Sequence, residues 1–193
     1  MAINLPNKLT FLRIGLIPLF VILFYLPAFG WNHVVLTALF FLISITDWFD
    51  GYLARRLRLQ SDLGAFLDPV ADKLVVTIVL VLLVSRHPGW GLALPTVIIV
   101  GREIAISALR EWMAHVGDAT KVAVSIIGKF KTAAQMLAIG FLLYEQPLGD
   151  FPTLEIGYVL IYVAAFLTLW SMAVYLRAAW PSLNGDSQGE EGA

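Results

Sequence analysis

Cysteine is absent from the chain, which excludes disulfide bonds and thiolate zinc sites without identifying a compartment. Histidine is scarce: His33, His87 and His115 lie far apart and form no metal-binding spacing. Charged residues are also few, at 14% of the chain, and the formal net charge is −1. Because there is no basic excess, the composition gives no indication of a nucleic-acid partner.

Hydrophobic residues dominate instead: they make up 59% of the 193 residues, and the mean hydropathy is +0.81. This composition is too apolar for an ordinary soluble domain. The apolar stretches each approach the ~20 residues that an α-helix needs to cross a bilayer. Arg13 within the first stretch, and the further stretches after it, argue against a cleaved signal peptide. The predicted spans are residues 9–26, 34–56, 66–86, 92–116, 122–144 and 154–176.

The predicted fold is therefore an all-α integral membrane protein with six transmembrane helices. A short apolar lead, residues 3–7, predicts an N-terminal interfacial helix on the membrane surface. The membrane domain covers residues 1–180, and the Gly-rich, acidic residues 181–193 predict a disordered cytoplasmic tail.

Basic residues predict the orientation of the spans. With both termini in the cytoplasm, every Lys and Arg except Arg86 lies in an inner loop or in the inner half of a span. Arg102 comes closest to mid-membrane on this count. The bias predicts an N-in, C-in topology.

Four aspartates lie between apolar runs in the segment 47–72. A carboxylate next to lipid costs about 2.5–3.5 kcal/mol even on the lenient insertion scale, so the cluster needs a reason. Asp47 and Asp50 are spaced i, i+3 and share one helix face, as do Asp68 and Asp72 at i, i+4 on the next helix. A short basic linker makes the two helices antiparallel neighbours. Both carboxylate pairs are therefore expected at the same, cytoplasmic end of this helical hairpin.

A cation is what such a cluster requires, since two like charges about 4 Å apart repel by ~1 kcal/mol in water and more in a drier site. Oxygen ligands alone suit hard divalent ions, Mg²⁺ or Mn²⁺. Two such ions would use four aspartates together with a pyrophosphate. Gly51, Ala54 and Gly64 leave room for a flat group such as a nucleotide, and Arg55 offers a fork for a phosphate.

The segment reads Asp-x2-Asp-Gly-x2-Ala-Arg-x8-Gly-x3-Asp-x3-Asp, and it resembles the signature of the CDP-alcohol phosphotransferases at every position. The resemblance implies a six-helix membrane enzyme. Such an enzyme moves a phosphatidyl or similar group from a CDP-linked donor to an alcohol and releases CMP. The matching residues are Asp47, Asp50, Gly51, Ala54, Arg55, Gly64, Asp68 and Asp72.

The N-terminal segment also resembles the element that many members of this family place over the nucleotide. A competing interpretation is that Asn7 and Thr10 form a helix cap. By the resemblance, the residues that bind CDP-diacylglycerol are Asn7, Lys8, Leu9, Thr10, Gly51, Ala54, Arg55, Ser61 and Gly64.

A second group of candidates is cationic and lies on the fourth and fifth spans. Arg110, Lys129 and Lys131 are predicted to bind the phosphate of an anionic acceptor at the inner end. The alternative is positive-inside topology combined with salt bridges. Their position along the fourth predicted span places Arg102 and Glu103 within the membrane. Both side chains should therefore face the interior of the bundle.

From residue 4 to about 175 the chain resembles the family members that use CDP-diacylglycerol and sn-glycerol 3-phosphate. The resemblance implies a homodimer in the bacterial cytoplasmic (inner) membrane, an active site facing the cytoplasm, and phosphatidylglycerophosphate and CMP as products. In the expected mechanism Asp47, Asp50, Asp68 and Asp72 hold two Mg²⁺ ions, and Asp72 takes the proton of the acceptor hydroxyl.

Three alternatives stay open. The same family offers other acceptors, namely inositol phosphate, serine or phosphatidylglycerol. A membrane prenyltransferase also uses aspartate clusters and Mg²⁺, although the full signature argues against it. A cation transporter would spread its carboxylates across the depth of the membrane, whereas these gather at one end.

Overall fold

The computed structural model describes residues 5–26, 30–57, 62–115 and 126–183. Within these ranges the chain is all-α, as predicted, and has no strand beyond one isolated bridge between Leu148 and Phe151. The six helices described are α1 Leu5–Tyr25, α2 Asn32–Leu57, α3 Asp62–Arg86, α4 Trp90–His115, α5 Ile126–Tyr144 and α6 Thr153–Leu183.

Helix boundaries differ from the predicted ones at both ends of the chain. α1 starts at Leu5 and runs on without a break, so the described part of the predicted interfacial lead is continuous with the first span. Pro6 permits this because a proline in the first turn lacks only an N–H that would have no helical partner. α6 runs to Leu183, past the predicted end of the membrane domain at residue 180. The rest of the predicted tail, 184–193, lies outside the described residues.

Two of the described helices are long and apolar enough to cross a membrane, judged by length and composition: Trp90–Met113 in α4 and Thr153–Arg177 in α6. Shorter apolar stretches occur at Thr10–Tyr25, Asn32–Thr46 and Phe130–Tyr144. The six-span topology with both termini inside therefore stays a prediction.

The chain divides into two compact units, and the first consists of residues 1–88 and 139–157. Its core forms where α1 packs against α2 and α3. The residues buried there include Phe20, Leu36, Phe40, Leu80 and Leu83.

Close approach of helices in the first unit depends on glycine. A Cβ placed on Gly140 of α5 would lie 2.5 Å from the ring of Phe41 on α2. A Cβ on Gly157 of α6 would lie 2.9 Å from Leu142. Real Cβ atoms do not come this close to other carbons, so a side chain at either position would force the Phe41 ring or the Leu142 side chain, or the helix itself, to shift.

Three helix ends of the first unit meet in a cluster of charged groups. His87 Nε2 lies 2.6 Å from Glu145 Oε1, and Arg86 Nη1 lies 3.5 Å from Glu145 Oε2. The Arg86 guanidinium also stacks 4.0 Å from the ring of Phe24, and its Nη2 donates a hydrogen bond to the Phe24 carbonyl. Glu145 has φ +60°, the left-handed conformation that commonly ends a helix, here α5. The cluster therefore ties together the C-terminal ends of α1, α3 and α5.

The second unit consists of residues 89–138 and 158–193. It contains α4, the first part of α5 and most of α6. Its apolar interior includes Ile99, Ile106, Met113, Ile161 and Ala164. Buried polar residues accompany them, among them Lys131, Gln135 and Thr168. A buried charge such as that of Lys131 needs polar or charged partners close by, and these partners are described with the candidate functional site below.

Candidate functional site

The four aspartates of the signature lie on two neighbouring helices of the first unit. Asp47 and Asp50 are in α2 and Asp68 and Asp72 are in α3, and both helices are continuous through these positions. α2 and α3 also contact each other. The helical spacing on which the prediction rested is thus present. The four side chains lie outside the part that the structure describes, so the predicted metal site stays a prediction.

The predicted donor-binding residues lie on α1, α2 and α3, with the exception of Ser61. Asn7, Lys8, Leu9 and Thr10 lie within α1, Gly51, Ala54 and Arg55 within α2, and Gly64 within α3. Ser61 lies outside the described residues. α1 begins before Asn7, so this residue lies inside the helix and does not cap it. Thr10 is buried, and the other side chains of this set are not among those described.

Arg13 is a polar residue whose burial sequence reasoning missed. Its side chain is 1% exposed, like that of Thr10 one turn earlier on α1. Buried guanidinium groups are held by polar or charged partners, because an unpaired charge in an apolar interior is very costly. The N-terminal half of α1 therefore contributes polar groups to the interior of the first unit. Arg13 interrupts an apolar stretch, and that interruption was the signal that could have revealed it.

The second unit contains a chain of polar contacts that joins α4, α5 and α6. Lys131 Nζ on α5 donates to Glu103 Oε1 at 2.6 Å, and Arg102 Nη1 donates to the same oxygen at 3.0 Å. Arg102 Nη2 donates to Ser171 Oγ on α6 at 3.2 Å, and Ser171 Oγ donates to the Thr168 carbonyl. The prediction that Arg102 and Glu103 face the interior is confirmed, with side chains 13% and 26% exposed.

The three predicted phosphate-binding cations are not equivalent in the structure. Lys131 is buried, with a side chain 9% exposed, and is held by Glu103. Arg110 is exposed, and its Nε donates to the hydroxyl of Tyr175 on α6 at 3.1 Å. Arg110 follows Arg102 by two helical turns, about 12 Å along α4. Lys129 lies within α5, and its side chain lies outside the description. A shared site for all three therefore stays a prediction.

Comparison with known proteins identifies the family. The family model described as CDP-alcohol phosphatidyltransferase matches residues 3–170. The chain belongs to this family. Family membership confirms the resemblance that the aspartate signature indicated, and it makes the protein a phosphatidyltransferase by class.

Several curated relatives match the CDP-alcohol phosphatidyltransferase chain over nearly its whole length. All three relatives described next carry the name CDP-diacylglycerol–glycerol-3-phosphate 3-phosphatidyltransferase. The one from Pseudomonas fluorescens is 50% identical over 188 residues, which cover 97% of this chain and 95% of the relative. The one from Salmonella typhimurium is 50% identical over 182 residues, 93% of this chain and 96% of the relative. The one from Yersinia pestis is 48% identical over 183 residues, which cover 95% of this chain and 98% of the relative.

Proposed function

We propose that this protein transfers the phosphatidyl group from CDP-diacylglycerol to sn-glycerol 3-phosphate, giving phosphatidylglycerophosphate and CMP. The observation that carries the proposal is the similarity, at 48–50% identity over more than nine-tenths of the chain, to relatives named for this reaction. The family match over residues 3–170 includes both the aspartate signature of α2 and α3 and the cationic residues of α4 and α5.

The donor set of the signature fits a hard divalent ion, because it consists of carboxylates without cysteine or histidine. We propose that Asp47, Asp50, Asp68 and Asp72 hold two Mg²⁺ or Mn²⁺ ions. Such ions, when bound, supply positive charge beside the diphosphate of the donor. Gly51, Ala54 and Gly64 leave space for the cytidine nucleotide, and Arg55 binds one of its phosphates. The remaining donor contacts come from Asn7, Lys8, Leu9, Thr10 and Ser61.

The reaction itself requires an alcohol oxygen to attack the β-phosphorus of the donor while the CMP oxygen leaves. Asp72 accepts the proton of the acceptor hydroxyl as the new P–O bond forms. Arg110, Lys129 and Lys131 hold the phosphate of glycerol 3-phosphate, so that the free hydroxyl is aimed at phosphorus. Orientation of this kind is the main task of the protein groups, since the diphosphate bond is already activated by its nucleotide leaving group.

The proposed location is the bacterial cytoplasmic membrane, with multiple spans and the site facing the cytoplasm. The two long apolar helices, the lipid substrate and the inward bias of basic residues support it. The charged cluster of Arg86, His87 and Glu145 agrees with this topology, because it joins two turns that the topology places on the same outer side. We also propose a homodimer, which rests on the family resemblance and is measurable by light scattering in detergent.

A substrate panel tests the function. The full-length protein is purified in detergent and given CDP-diacylglycerol, Mg²⁺ and one alcohol at a time, with CMP release as the readout. We expect release with sn-glycerol 3-phosphate, and little with serine, inositol phosphate or phosphatidylglycerol. Faster CMP release with one of the other alcohols would identify that alcohol as the acceptor and would leave the family assignment unchanged. Transfer from a prenyl diphosphate, or cation flux in liposomes without CMP release, would overturn the proposal.

A further inference from the structure

Glu103 is a half-buried acidic residue, with a side chain 26% exposed, to which the proposed reaction assigns no role. It lies on α4 in a stretch that is otherwise long and apolar enough to span a membrane. A carboxylate in such a stretch is costly and is normally kept because it has a task. Two cations reach it from different positions, Arg102 on its own helix and Lys131 on α5, and both donate to the same oxygen, Oε1.

Lys131 is the partner through which Glu103 can affect the reaction. A lysine ammonium has three N–H donors on a stem with four rotatable carbon–carbon bonds, so an unanchored lysine samples many directions. The 2.6 Å contact with Glu103 fixes one of the donors. In the part of the chain that the structure describes, Glu103 is the hydrogen-bond acceptor of this ammonium. Among the described residues the other two N–H groups of the ammonium have no hydrogen-bond partner, so they can serve a phosphate from a position set by Glu103.

The charges of the group fit a phosphate ligand. Arg102, Lys131 and Glu103 carry two positive charges and one negative charge, which leaves an excess of one positive charge in a largely buried place. Arg102 in turn donates to Ser171 on α6. Because Arg102 and Lys131 donate to the same oxygen, Glu103 cannot withdraw that oxygen from Lys131 without also losing its contact with Arg102. The excess charge would be compensated by an anion such as the acceptor phosphate.

We propose that Glu103 is a positioning residue: it anchors the ammonium of Lys131 in the direction that binds the phosphate of the acceptor. The proposal rests on the proposed function, because that function assigns the acceptor phosphate to Lys131. The competing account is a buried ion pair that only joins α4 to α5. The two accounts differ in which substrate is affected when the charge of Glu103 is removed, and in whether Lys131 is needed for the effect.

The test measures CMP release by the full-length protein while each substrate is varied in turn. Glu103→Gln keeps the shape of the side chain and removes its charge. We expect the KM for sn-glycerol 3-phosphate to rise about tenfold, which is typical for losing a charge-assisted hydrogen bond, while the KM for CDP-diacylglycerol stays within about twofold. Glu111→Gln, an exposed glutamate on the same helix, is the matched control and should change neither constant.

A double variant decides whether Glu103 acts through Lys131. If it does, adding Glu103→Gln to Lys131→Ala changes the acceptor KM by less than about twofold, because the group to be positioned is gone. The proposal would be overturned if the double variant raised the acceptor KM by the product of the two single effects. It would also be overturned if Glu103→Gln raised the KM values for acceptor and donor equally. Glu103→Asp covers the case in which the glutamine variant fails to fold. It keeps the charge but draws it back from Lys131, and an unchanged acceptor KM in this variant would also count against the proposal.

The activity of the unaltered protein separates this inference from the proposed function. If the unaltered protein releases no CMP with sn-glycerol 3-phosphate, the proposed function and this inference fall together. If it releases CMP and the double variant shows independent effects, only the role of Glu103 falls.

Discussion

Asp72 carries the most demanding role in the proposed chemistry, since it must accept a proton beside positively charged groups. Asp72→Asn keeps the size of the side chain and removes its basicity. We expect CMP release to fall by a factor of about 10²–10⁴, the usual contribution of a general base, with the protein still inserted and folded. Asp150→Asn, in the exposed turn before α6, is the control and should retain activity.

Thermal unfolding in detergent accompanies this measurement, so that loss of activity is not confused with loss of structure. Turnover by the folded Asp72→Asn protein at an undiminished rate would remove Asp72 from the mechanism.

Lys131 and Arg110 allow a prediction that follows from their different surroundings. Lys131 is buried and anchored, whereas Arg110 is exposed and bonded to Tyr175. Both are assigned to the acceptor phosphate, but a buried charged contact is screened less by water than an exposed one. Lys131→Ala should therefore raise the KM for sn-glycerol 3-phosphate more than Arg110→Ala does, by about tenfold against a few-fold. Initial rates of CMP release at varied acceptor concentration measure both.

The salt dependence provides an internal check on that prediction. Added salt should weaken acceptor binding in the unaltered protein more than in Arg110→Ala, because the exposed contact is the one that ions screen. A rise in the donor KM that equals the rise in the acceptor KM would instead make these residues structural.

Close helix packing at the level of single elements is tested at Gly140 of α5. A Cβ there would lie 2.5 Å from the ring of Phe41 on α2, so α5 or the ring must shift. Gly140→Ala should lower the free energy of unfolding by about 1–3 kcal/mol, as overpacking does. Gly15→Ala on α1 of the same unit meets no atom within 4 Å and should be neutral or stabilising by about 0.4–1 kcal/mol.

Unfolding in detergent, followed by helical circular dichroism, measures both glycine variants. Phe41→Leu combined with Gly140→Ala should recover part of the loss, since it removes the ring that the new methyl group meets. Equal stability of the two single glycine variants would show that α2 and α5 do not pack as described.

The positions of the helices can be predicted from the sequence because long apolar runs are a strong signal. Apolar runs of bilayer length, separated by short polar segments, predicted a helix in each place where the structure describes one. The ends of the helices are harder to predict. α1 includes Pro6, because a proline costs little in the first turn of a helix, and α6 continues past residue 180. Local sequence does not show how far a helix extends once its apolar part is complete.

Side-chain partners could not be predicted from sequence for a different physical reason. The contact of Lys131 with Glu103 depends on how far α4 and α5 are rotated about their own axes, and periodicity within one helix does not fix that rotation. The same holds for Arg110 with Tyr175 and for the depth at which Arg13 is buried. The aspartate signature escaped this difficulty, because its recognition requires only the order of residues along the chain.

At the scale of the whole molecule, the orientation in the membrane is the property most open to test. The turn after α3 and the turn after α5 meet in the ion pairs of Arg86 and His87 with Glu145. If the chain crosses the membrane an even number of times between these turns, both turns lie on the same side. The inward bias of the other basic residues predicts that this is the outer side. The tail beyond α6 should then be cytoplasmic.

The absence of cysteine makes this topology directly measurable, since each introduced thiol is the only one in the chain. Gln146→Cys, in the exposed turn before α6, should react with a membrane-impermeant maleimide in intact cells. Ser187→Cys, near the C-terminus, should react only after the membrane is opened, because the N-in, C-in arrangement places it inside. Labelling of Ser187→Cys in intact cells, with Gln146→Cys protected, would invert the topology and move the proposed site to the face of the membrane that lacks CDP-linked donors.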